Sequence, residues 1–105
     1  MAFVRAAFPS QPWTPGGHPL ERKKTLPSRG LTLLEFEPGF ADPNVCLAGH
    51  FMFVIEGSFG LELDTGLERL DAGEACFLDA GTAHRACNLG PTQVRLLVLT
   101  QTDPG

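Results

Sequence analysis

The sequence predicts an all-β domain built as a sandwich or barrel, and three observations carry the prediction. Short runs of β-compatible residues recur along the chain between breaks of Gly, Pro, Asp and Asn. Helical periodicity is nowhere sustained. Two of the runs are apolar on both faces, which requires cover on both sides.

Taken in order, residues 1–19 form an extended N-terminal arm and 20–105 a single barrel domain. Pro, Gly and small residues dominate positions 9–19, with Trp13 among them, so the arm is expected to wrap over the barrel. Strands are expected at 21–26, 31–36, 51–55, 59–63, 68–70, 75–78, 84–88 and 94–100. The first begins with the one basic cluster, ERKK at 21–24, which reads as a solvated strand edge. Around 49–57, side-chain alternation puts His50, Met52 and Val54 on one face and Phe51, Phe53 and Ile55 on the other. Residues 57–73 supply a hairpin, whose solvated side carries Glu62, Asp64, Glu68 and Asp71. The run 75–78 is a four-residue apolar strand, Gly81 allows a positive-φ turn after it, and His84 opens the next strand. The run 94–100 is apolar on both faces except at Arg95. A strand of that kind needs the barrel interior on one side and a second sheet or a partner subunit on the other. A homodimer with sheets packed face to face is therefore the expected assembly.

Length and composition bound the rest. A chain of 105 residues makes one domain with a single core. Hydrophobic residues make up 43%, yet no apolar run approaches the ~18 residues of a membrane-crossing helix, and no membrane partner is expected. The N-terminal MAFVRAAF is too short for a secretory signal, and the odd number of cysteines, 3, argues for reduced thiols rather than a disulfide framework. Cytoplasmic residence is the default expectation. A net charge of −4 with 8 Lys and Arg leaves no footprint for a phosphate backbone, so no nucleic-acid partner is expected. No Ser-His-Asp order, phosphate-cradling glycine loop or zinc-finger spacing is present.

The stretch 73–88, GEACFLDAGTAHRACN, places Gly73, Gly81, His84 and Asn88 at fixed intervals. It resembles the second signature of the cupin superfamily, which has a proline where this chain has Asp79. The stretch FVIEG at 53–57 is similar to the family's usual end of the first signature. Counting back from it, the positions that normally hold two histidines and a glutamate are filled by Asn44, Cys46 and His50. The resemblance covers roughly residues 39–100 and implies a double-stranded β-helix, or jelly-roll, cupin barrel.

Within that resemblance, His50 and His84 are expected to point into the barrel with Cys46 beside them. Thiolate with two imidazoles suits zinc, and also iron, nickel or copper, better than magnesium or calcium. The implied metal ligands are Cys46, His50 and His84, with water, Asn44 or a small organic molecule in the remaining position. Met52, Val54, Phe77 and Asn44 are the expected pocket residues. Each residue also has a plainer reading: Cys46 as a buried filler, and the two histidines as hydrogen-bond partners of a small anionic ligand without metal. Cys76 and Cys87 read as core, His18 as an arm residue, and Asp79 as a turn cap. Glu56 falls on the His50 face by alternation, but far along the strand.

Cupins serve many functions, so the fold alone does not name one. The leading expectation is a small metal-binding cupin of unassigned reaction, with a divalent transition metal, zinc first. The alternative is a non-catalytic small-molecule-binding or sensory module without metal, and a third reading is a stand-alone sensory domain that needs a separate DNA-binding chain.

Overall fold

The computed structural model describes residues 2–101. Among them are nine strands: β1 (Thr14–Pro15), β2 (Glu21–Leu26), β3 (Leu31–Phe36), β4 (His50–Glu56), β5 (Ser58–Leu63), β6 (Gly66–Asp71), β7 (Ala75–Leu78), β8 (His84–Asn88) and β9 (Val94–Thr100). They form two antiparallel sheets, one of six strands in the order β1-β2-β3-β9-β4-β7 and one of three in the order β6-β5-β8. This is an all-β jelly roll. Every expected strand is present, and β1 is an addition, a two-residue pairing of the arm with β2.

The period of two along each strand decides which residues fill the barrel. Register aligns Leu34, Leu96 and Val54 in one row across β3, β9 and β4, and Val98, Met52 and Cys76 in another across β9, β4 and β7. The three-stranded sheet contributes Phe59, Leu61 and Leu70 from the other side. Phe36 stacks on Phe40 with centroids 4.0 Å apart and meets Phe59 at 6.2 Å. The fully buried ones among them, Phe36, Phe59, Leu61, Leu96 and Val54, each stabilise the fold by about 1.5–3 kcal/mol relative to exposure. Met52 and Val54 are part of this closed core rather than the lining of an open pocket.

The opposite face of the larger sheet carries Phe51, Phe53, Phe77, Leu97 and Leu99, in register with one another. Phe77 corrects the sequence expectation: it is 74% exposed, not in the barrel. It pairs with Phe51 across the strands, and its neighbours Cys76 and Leu78 take the inward positions. Neighbouring residues of one strand cannot both point inward.

Glu56 also departs from simple alternation. The register of β4 against β9 shifts between Val54 and Glu56, so Glu56 sits opposite Arg95 and leaves the His50 face. The extra residue of this bulge turns both Ile55 and Glu56 outward.

The basic cluster in β2 is tied down rather than freely solvated. Arg22 Nε donates to Glu35 Oε1 at 2.7 Å, and Arg95 Nη2 donates to Glu35 Oε2 at 2.6 Å. Lys24 Nζ donates to the Phe8 carbonyl at 2.8 Å. The indole of Trp13 lies over all three cations, 4.4 Å from Arg22, 4.7 Å from Lys24 and 5.7 Å from Arg95. Cation–π attraction of this kind holds the arm on the sheet. His18, in the same arm, meets Phe40 edge-on at 5.0 Å.

Candidate metal centre

Cys46, His50 and His84 come from three separate segments. His50 opens β4, His84 opens β8, and Cys46 lies in the loop before β4. The loop is held by an isolated two-residue bridge between Cys46 and His84. Further along, Gly81 N–H donates to the Leu47 carbonyl at 2.8 Å and Gln101 N–H to the Gly49 carbonyl at 2.9 Å. Gly81 takes a φ of 91°, as the turn before His84 requires. Asp79 closes that turn through its backbone carbonyl, which accepts from Thr82 N–H at 3.1 Å.

One donor atom from each of the three residues lies within 4.8 Å of the others. Cys46 Sγ is 3.6 Å from His50 Nε2. The two imidazoles meet edge to face, with centroids 5.3 Å apart. Each ring has a partner for its other nitrogen: His84 Nδ1 donates to the Thr82 carbonyl at 2.8 Å, and His50 Nδ1 lies 3.2 Å from Thr100 Oγ1. The Thr82 carbonyl can only accept, so His84 Nδ1 is protonated and its Nε2 carries the lone pair, whereas the Thr100 hydroxyl can pair with either tautomer of His50. His84 is 3% exposed. Burial first, and the neighbouring His84 second, hold the His50 imidazole below its ordinary value of 6.5, which favours the neutral form that binds metals.

The other expected site residues lie elsewhere. Asn44 is exposed in a bend, where its N–H donates to Asp42 Oδ1 at 2.9 Å, and the bend breaks the alternation that would align it with Cys46. Cys87 lies on the opposite face of β8 from His84, against Gly60. Burial pushes the Cys76 thiol up; burial and then Glu62 push up that of Cys87, so both stay protonated near neutrality. Asn88, the last signature position, is a structural fastener: its Nδ2 donates to the Phe36 and Thr92 carbonyls at 3.2 and 2.9 Å. Thr82 and Thr100 were not foreseen. Thr82 is two residues from His84, but Thr100 meets His50 only through the register of β9 on β4.

The donor set fits a borderline-soft divalent metal. Its atoms already converge, two are imidazole nitrogens with their far sides hydrogen-bonded, and the third is a thiol sulfur. A small hollow of about 110 Å³ beside His84 is lined also by Val45, Glu62, Leu63, Asp64, Ala83 and Arg85, and neither Cys46 nor His50 lines it.

A double-sheeted jelly roll with an imidazole cluster at the mouth of the barrel defines the cupin class. The cupin domain family model matches residues 33–100, and the chain belongs to that family. No curated protein matches the sequence. Among solved structures, the chain is similar to a sugar phosphate isomerase from a cupin superfamily of Silicibacter pomeroyi, with TM-score 0.77 and 19% identity over 96% of this chain and 77% of that one. It is similar to the polyketide cyclase RemF from Streptomyces resistomycificus, with TM-score 0.75 and 26% identity over 99% of this chain and 83% of that one. An RmlC-like cupin from Shewanella frigidimarina gives TM-score 0.74 and 16% identity over 98% and 95% of the two chains.

Proposed function

We propose that this protein is a small metal-binding cupin in which Cys46, His50 and His84 hold one divalent transition metal, zinc first, with iron or nickel as alternatives. The observation that carries the reading is the convergence of three donor atoms within 4.8 Å. A metal held there supplies Lewis acidity to an oxygen or nitrogen of a bound molecule. The chain's own groups prepare the site: the Thr82 carbonyl fixes the His84 tautomer, Thr100 orients the His50 ring, and partial burial keeps His50 neutral. Water or a small polar organic molecule completes the shell. Neighbours named as a sugar phosphate isomerase and a polyketide cyclase support an organic ligand.

A second reading, a small-molecule-binding or sensory module without metal, is favoured by the two imidazoles standing 5.3 Å apart, close enough to hydrogen-bond one small anionic ligand together. The apolar outer face of the larger sheet supports a homodimer packed through that face, and the free cysteines fit the reducing cytoplasm.

Elemental analysis of untagged protein purified without chelators tests the metal. About one zinc, iron or nickel per chain is expected, and Cys46→Ser and His84→Ala should each lower that content while the fold persists. Folded protein that is metal-free and refuses added zinc, iron and nickel overturns the reading in favour of the module without metal.

A further inference from the structure

The cysteines of this chain stand in different chemical settings. Cys76 packs against the core in register with Met52, and Cys87 lies against Gly60 on the opposite face of β8 from His84. Burial pushes both of these thiols up, which keeps them protonated and slow toward oxidants. Cys46 differs on two counts. Its sulfur belongs to the donor cluster, 3.6 Å from His50 Nε2, and the residues on either side of it, Val45 and Leu47, are 58% and 59% exposed. The sulfur donor is therefore carried by a surface segment, while His84 is buried. Neither Cys76 nor Cys87 belongs to the cluster, so the Cys46 sulfur faces imidazoles rather than a second thiol.

We propose that Cys46 makes metal binding at this centre sensitive to peroxide: a hydroperoxide oxidises the ligand sulfur, the ion is released, and small thiols restore the site. The proposal rests on the metal-binding reading above and adds the regulation of that site. A thiol that ligates a metal is deprotonated outright, so the sulfur is held in its nucleophilic form. With hydrogen peroxide, a lone pair of the Cys46 thiolate attacks one oxygen, an S–O bond forms as the O–O bond breaks, and the other oxygen leaves as hydroxide. Sulfur gives up two electrons and the peroxide takes them, so Cys46 becomes a sulfenic acid. The negative charge of the thiolate departs with the hydroxide, and two neutral imidazoles are left as ligands. Two thiol molecules reverse the change. The first forms a mixed disulfide with Cys46 and releases water, and the second displaces the Cys46 thiolate and leaves as the small disulfide.

The backbone lets the site empty and refill without unfolding. Cys46 is bridged to His84 through main-chain groups, and the Leu47 carbonyl accepts from Gly81 N–H. None of these bonds uses the sulfur or an imidazole, so oxidation removes a ligand and leaves the loop in place.

Zinc-loaded full chain tests the proposal, because zinc exchanges no electrons and those taken by the peroxide must come from sulfur. Hydrogen peroxide is added beside a chromophoric zinc indicator, dimedone traps sulfenic acid, and mass spectrometry locates the adduct. Release of about one zinc per chain is expected, in step with modification of Cys46, with Cys76 and Cys87 unmodified and the circular dichroism of the folded protein retained. In a parallel sample without dimedone, dithiothreitol should restore zinc binding. Zinc that stays bound, or that leaves with the adduct on Cys76 or Cys87, overturns the switch and leaves the metal reading standing. Folded protein that binds no zinc before peroxide is added overturns the metal reading, and the switch with it.

Discussion

Cys46 and His84 exchange both of their backbone hydrogen bonds, Cys46 N–H to the His84 carbonyl at 2.8 Å and His84 N–H to the Cys46 carbonyl at 3.1 Å. In an antiparallel bridge of this kind the two side chains leave the backbone on the same side. The separation of thiol and imidazole is therefore set by main-chain pairing, and no long flexible side chain has to be ordered when a ligand arrives.

The ring of His50 is oriented by Thr100 Oγ1 at 3.2 Å. Thr100→Val keeps the shape and removes the hydroxyl. Zinc affinity should fall about 10- to 100-fold, the usual effect of losing a ligand's outer partner, with little change in the melting temperature of the metal-free protein. Competition against a chromophoric chelator measures this, and unchanged affinity would show that the hydroxyl does not position the ring.

The depressed His50 value gives the metal-free protein a pH dependence of definite sign. The unfolded chain takes up the proton near 6.5 while the folded chain still refuses it. This contribution to stability is complete above that pH, falls as the pH drops from 6.5 toward the folded value, and levels off below it, with a slope of at most about 1.4 kcal/mol per pH unit. Urea unfolding of the metal-free protein between pH 5 and 7.5 should show the fall in wild type and a flatter profile in His50→Gln. Parallel profiles would contradict the assignment to His50.

Gly57 and Gly81 both take φ near 90°, but their surroundings differ. A Cβ at Gly57 would stand 2.5 Å from the Gln93 carbonyl oxygen, whereas one at Gly81 meets nothing within 4 Å. Gly81→Ala should cost about 1–2 kcal/mol from the backbone alone. Gly57→Ala adds the clash and should exceed about 3 kcal/mol. Denaturant midpoints of the two variants decide it, and equal losses would refute the distinction.

Glu35 is 2% exposed and lies between Arg22 and Arg95, in register across β2, β3 and β9. Glu35→Gln leaves two guanidinium groups facing each other under Trp13. Because both arginines are partly solvated, the loss should be about 2–3 kcal/mol, below that of a fully buried pair. The fluorescence of Trp13, the only tryptophan, should shift with it as the arm loosens. Stability and emission both at wild-type values would show that Glu35 does not organise the cations.

The strands were legible because turn residues punctuate short runs and alternation separates their faces. The Cys46, His50 and His84 group was legible from the spacing of two short signatures, and the structure brings the three together. Phe77 was misplaced because a four-residue strand offers two phases, and only its pairing with Phe51 selects one. Glu56 was misplaced because a bulge has no composition signal at Ile55. Asn44 failed where a bend interrupts the extended chain, and Thr100 could not be found because its neighbour across the sheet is far away in sequence.

The position of β9 has a consequence for how the molecule is made. It is the last strand synthesised among those described, yet it lies between β3 and β4 in the middle of the larger sheet. On the ribosome, both neighbours must wait with unpaired edges and uncovered apolar faces until the final strand emerges. The nascent chain is then at its most vulnerable to self-association, because the core cannot close until β9 has been made.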